Sequence, residues 1–169
     1  MHYVAPDLRA LDGISADVIA CAIWEDCHPM MGLAGLLDWR LAGRLSKLAK
    51  AGFASGARGE TLLVPGRPRL PFEKVLLLGL GARSAFGDGV FRETLERFLE
   101  CRQGLKAQRA VLELPGRADG ALDPERAAEL ALAVAKGALD EDVWLVENAE
   151  GEKRTEARLN EERRRVRKV

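Results

Sequence analysis

No set of metal ligands, no nucleophile beside a base and no acid–base pair stands out along this chain. Cysteine is scarce as well. Cys21, Cys27 and Cys101 are an odd number without framework spacing, which excludes a disulfide scaffold and fits reduced thiols in a cytoplasm. Net charge is missing too, with 26 basic residues against 26 acidic ones. A general binder of nucleic acid or of membrane surfaces normally carries a basic excess. No run approaches the roughly 18 apolar residues that span a bilayer. The start, Met1 to Asp7, lacks the basic-then-apolar order of a secretory signal. What remains is the expectation of a cytoplasmic globular chain, one domain at 169 residues, with no cofactor and no disulfide.

The apolar residues that are present carry clear periods. Ala16–Trp24 is apolar and partly β-branched and reads as a strand. Leu33, Leu36, Leu37, Leu41, Leu45 and Leu48 recur at helical spacing, which predicts one amphipathic helix over 33–50, closed near Gly52. A short strand over 61–64 leads through Pro65, Pro68 and Pro71 to an unbroken apolar strand, Val75–Leu78. That connection is too short for a parallel crossover, so the two strands are predicted to be antiparallel neighbours. Further elements follow: a helix over 88–102, a strand over 108–114, a helix opened by Asp123-Pro124, and a strand over 142–147. The order predicts a three-layer α/β/α sandwich with a mixed sheet. Trp24 and Trp39 are placed between sheet and helix.

Residues 152–169 differ in kind. They hold eight basic and four acidic residues, with Leu159, Val166 and Val169 as their sizeable apolar groups. A helix with so narrow a stripe is expected to be dispensable for folding and available for association. The boundary is therefore drawn between a domain over 1–151 and a charged helix over 152–169.

The strand at 75–78 delivers the chain into Gly79-Leu80-Gly81, at the carboxyl end where open α/β sheets place their crevices. Gly79, Gly81 and Arg83 are the candidate ligand-binding residues. A third glycine at the dinucleotide spacing is lacking, because Ser84 stands there. Cys27-His28 has no second pair at ligand spacing, so neither a metal nor a cysteine–histidine dyad is assigned. Trp144 in the late strand, with Leu159, Arg163, Arg164, Arg165 and Val166, forms the candidate interface set. The arginine run is mixed with acids and has no interleaved aromatics.

Four pieces in order resemble one known family. They are the strand around Ala16-Asp17-Val18, the Leu37-Asp38 helix with Gly43, the segment Phe53–Glu60, and Val75–Gly81. Together they are similar to the N-terminal domain of leucyl (cytosol) aminopeptidases, closely over 15–116 and loosely over 117–147. The chain departs from the family pattern by a displaced glycine in the third piece. It also carries Ala82-Arg83 where a lysine is usual. The resemblance implies a macro-like α/β/α domain that serves assembly and, in some members, DNA binding or regulation. It also implies that aminopeptidase chemistry, with two metal ions held by a lysine and carboxylates, belongs to a separate larger domain not found in these residues. The resulting expectation is a stand-alone, non-catalytic module that binds protein, its own copies included. Two alternatives stand beside it: a macro-type binder of nucleotide or ADP-ribose-like molecules, and a regulatory nucleic-acid binder using the C-terminal helix.

Overall fold

A computed structural model describes residues 1–167, without the side chains of Glu162, Arg163, Val166 and Arg167. The strands β1 (His2–Val4), β2 (Ala16–Ile23), β3 (Thr61–Pro65), β4 (Phe72–Gly79), β5 (Ala110–Leu112) and β6 (Val143–Val146) form one sheet in the order β1-β6-β5-β2-β4-β3. Every pairing is parallel except β3 against β4. The antiparallel pair is the one joined by the short proline-rich turn, as chain length requires.

Alternation along the central strands feeds two cores. Ile19, Cys21, Val75 and Leu77 point to one face, where α1 (Leu8–Asp12), α2 (Gly32–Arg40) and α3 (Arg44–Lys50) supply Leu11, Leu33, Leu37 and Leu45. Val18, Ala20, Leu76 and Leu78 point to the other. There α4 (Asp88–Gly104) and α5 (Pro124–Ala135) bring Phe91, Leu95, Phe98, Ala127 and Leu130. Helices on both faces of a mostly parallel sheet make the three-layer α/β/α sandwich.

Three sequence expectations need correction. The helix over 33–50 is two helices, α2 and α3, parted where Ala42 and Gly43 both take positive φ, 56° and 78°. Gly43 adopts that conformation without a Cβ penalty. Asp38 then caps the second helix, accepting the Ser46 N–H at 3.0 Å and the Ser46 hydroxyl. Trp39 does not pack inward; it is 75% exposed. Leu33 and Leu37 occupy the inner face of α2, and Trp39 lies roughly 200° further round the helix from Leu37. Trp24 is buried, edge-on to Phe86 with centroids 5.1 Å apart. The third correction is β1, unexpected because His2-Tyr3-Val4 is too short and polar to show alternation. It pairs outside β6, so β6 is not the sheet edge.

The last helix, α6 (Ala149–Arg167), begins three residues before the position expected. It packs along α5. Gly151, Thr155 and Leu159, spaced four apart, are buried. Arg154 and Arg158 reach Glu125 and Glu129 on α5, at 2.6 and 2.7 Å. The docked face thus draws on small residues as well as Leu159, and a reading based on large apolar groups undercounts it. Truncation after Asn148 is therefore expected to lower the melting temperature. Losing the burial that Leu159 provides and exposing the apolar faces of α5 and β6 should cost about 2 kcal/mol or more, roughly 5 °C for a chain of this size. An unchanged melt would show that α6 contributes nothing to the core. Among the described residues no helix is long and apolar enough to cross a membrane.

Candidate functional site

The loops that follow β2, β4, β5 and β6 converge at the carboxyl ends of the parallel strands. Gly79 and Gly81 lie there, but the protein's own chain covers them. The loop over 54–60 folds across the end of β4, so that Gly59 N–H donates to the Gly79 carbonyl at 3.3 Å and Gly81 N–H to the Gly56 carbonyl at 2.8 Å. A Cβ on Gly79 would sit 1.9 Å from the Ala57 carbonyl oxygen. Glycine is required at 79 for this loop to approach. Arg83 lies in a 3-10 turn, Arg83–Ala85, just beyond. Its backbone N–H donates to Asp26 after β2 at 3.1 Å. Its guanidinium stands 2.9 Å from the Asp119 carboxylate, whose side chain is 2% exposed. Arg83 therefore ties together the loops after β2 and β5, with a buried anion already beside its charge.

The cluster that sequence reading misses lies next to it. Glu113 follows β5, is buried, and accepts the Leu33 N–H at the start of α2 through both carboxylate oxygens, at 3.1 and 3.2 Å. Burial lifts its pKa to about 7; the like charges of Glu147 and Asp119 add to the rise, and the Leu33 N–H and Arg117 oppose it. Arg117 and Glu147 form a partly buried ion pair at 2.7 Å. Arg117 also donates to the Leu122 carbonyl at 2.6 Å, and Glu147 accepts the Asn148 N–H at 3.0 Å. Burial, followed by the charge of Glu113, also pushes the Cys21 thiol up, which keeps it protonated and inert. These contacts lock β5 to α2 and to the β6–α6 corner. One signal was available in the sequence: Glu113 interrupts an apolar run immediately before Leu114-Pro115-Gly116.

The candidate interface residues are dispersed. Trp144 is half-buried, stacked on His2 at 5.3 Å, with the Arg109 guanidinium 4.9 Å from its ring centroid. Leu159 is buried against α5. Arg164 and Arg165 are exposed near the far end of α6, while the side chains of Arg163 and Val166 lie outside the described residues. Cys27 and His28 gain no partners for a metal: no group of three or more His, Cys, Asp or Glu suited to an ion occurs among the described residues.

Comparison with known proteins agrees with this architecture. Residues 27–142, more than half the chain, match the family described as cytosol aminopeptidase family, N-terminal domain. A probable cytosol aminopeptidase of Thermosynechococcus vestitus is 30% identical over 149 residues, covering 85% of this chain and 29% of that protein. The chain thus spans less than a third of the curated relatives it matches. Among solved structures, a tomato leucine aminopeptidase mutant superposes with a TM-score of 0.63 at 18% identity, over 92% of this chain and 35% of that one. A Trypanosoma brucei macrodomain in complex with ADP-ribose gives 0.70 at 18% identity, over 92% of this chain and 66% of that one. The chain belongs to the cytosol aminopeptidase family, of which it carries the N-terminal domain in a macrodomain-like fold.

Proposed function

We propose that this chain is a non-catalytic module that works through contacts with protein, its own copies included. The observation that carries this reading is the exposure of two aromatic side chains, one on α2 and one just after α3. Trp39 on α2 and Phe53 just after α3 are 75% and 65% exposed. Large aromatics left in water on a domain with two well-filled cores are the residues that anchor protein interfaces. The exposed arginines of α6 would supply a polar rim to a further contact. The covered backbone at Gly79 and the paired state of Arg83 favour this reading over a phosphate cradle.

The macro-type alternative draws on one observation, the likeness to a macrodomain whose structure holds ADP-ribose. Two measurements separate the readings. Titration with ADP-ribose is expected to give no saturable heat. The double variant Trp39→Ala, Phe53→Ala is expected to melt like the wild type yet lose capture of protein partners from a native lysate. Saturable ADP-ribose binding that Arg83→Ala abolishes would replace the protein-binding reading with the small-molecule one.

A further inference from the structure

The sheet ends on β3, and the way it ends is specific. Among the described residues β3 has one ladder partner, β4. The Gly66 N–H donates to Glu73 and the Gly79 N–H to Glu60, each at the end of that ladder. Antiparallel ladders alternate, so Leu62 and Val64 direct their peptide groups at β4. Thr61, Leu63 and Pro65 direct theirs away from the sheet. Leu63, in the middle of the strand, is 42% exposed. An edge with outward amides and an exposed leucine is a template for another strand.

Charge is divided along the same edge. At the Thr61 end lies a groove of about 280 Å3 lined by Arg58, Glu60, Glu93, Glu96, Arg97 and Glu100, among others. Four acids against two arginines leave it negative. The opposite end carries Arg67 and Arg69 in the turn after Pro65, and Lys74 with the acid Glu73 at the start of β4. An edge that is acidic at one end and basic at the other complements itself when a second copy is turned antiparallel.

We propose that two copies of this chain pair through β3, antiparallel about a two-fold axis at Leu63, into a continuous sheet. This rests on the protein-binding reading and names its partner and its surface. In that register Leu63 of each copy faces Leu63 of the other, so the exposed apolar group is buried on its twin. Each Leu63 N–H finds the opposite Leu63 carbonyl, and each Thr61 N–H finds the opposite Pro65 carbonyl. Proline has no N–H to give, but none is needed to satisfy the outward donors Thr61 and Leu63. The basic turn of each copy then lies against the acidic groove of the other, an isologous contact in which both halves are the same. A strand of five residues makes a small interface, so the pairing is reversible and weakened by salt.

Sedimentation velocity on the full chain at low salt, over a wide concentration range, tests this. The wild type is expected to move from the mass of one chain toward that of two as concentration rises. Leu63→Lys, which sets two like charges opposite each other, should weaken pairing by about tenfold or more. Its monomer should melt as the wild-type monomer does. Arg67→Glu with Arg69→Glu, and separately Glu96→Lys with Glu100→Lys, should each self-associate more weakly, and an equimolar mixture of the two should recover mass. A wild type that keeps the mass of one chain throughout overturns the proposal, as does a Leu63→Lys variant that dimerises normally or a mixture no heavier than its parts. If the wild type associates but Leu63→Lys changes nothing, edge pairing falls and the protein-binding reading stands. The same holds for a monomeric wild type whose partner capture still depends on Trp39 and Phe53.

Discussion

Leu77→Asp is expected to yield no folded protein. Leu77 lies in β4 between Cys21 of β2 and Leu62 of β3, and it is 1% exposed. Truncating such a leucine costs about 2–5 kcal/mol through lost burial and the cavity left behind. An unpaired carboxylate at the same place adds several kcal/mol more. Together these match or exceed the roughly 5–15 kcal/mol that hold a domain together. Circular dichroism and a melting curve check the result, with Leu132→Asp as the control. Leu132 is 46% exposed on α5, where the same change should cost little. A cooperative, wild-type-like melt of Leu77→Asp would sink the central placement of β4.

The second large effect is a dependence of stability on pH that runs opposite to ordinary acid denaturation. Glu113 holds its proton up to about pH 7 in the fold, against 4.5 for an ordinary glutamate. A carboxyl whose folded pKa is raised binds protons more tightly when folded, so its ionisation opposes folding. No penalty exists below about pH 4.5; it grows as pH rises to 7 and is complete above that. Its full size is about 3 kcal/mol. The charged and titratable groups around Glu113 are Glu147, Asp119, Arg117 and Cys21, with the Leu33 N–H as its hydrogen-bond donor. Glu113→Gln keeps a carbonyl to accept that N–H and carries no charge. The variant should match the wild type at about pH 4 and exceed its stability at pH 8, with the difference opening between those values. Urea unfolding of both proteins across that range measures it. A difference that stays constant with pH would show that Glu113 is not titrating near neutrality.

Much of the architecture could be read from apolar spacing alone. The strand at 75–78, the helices over 88–102 and from Pro124, and the antiparallel β3–β4 pair follow from period, proline placement and loop length. These signals are local, and each is written within a dozen or so residues. The break at Ala42-Gly43 escaped because the leucine period continues through it while the backbone does not.

What the tertiary structure decided lies between segments distant in the chain. Glu113 is one acid in an apolar run until the fold sets it against Leu33 and beside Glu147, and that burial, with the like charges next to it, raises its pKa. Gly79 and Gly81 read as a bare crevice until the 54–60 loop folds over them, because a glycine accommodates a passing backbone as readily as a phosphate. Trp39 reads as core until the helix turns Leu33 and Leu37 inward and leaves it outside. The sequence determined most of the stretches that are helix and strand, because propensity and period act over neighbours. Burial, strand order and the exposed edge of β3 depend on which distant groups exclude water from one another, and only the assembled sheet settles that.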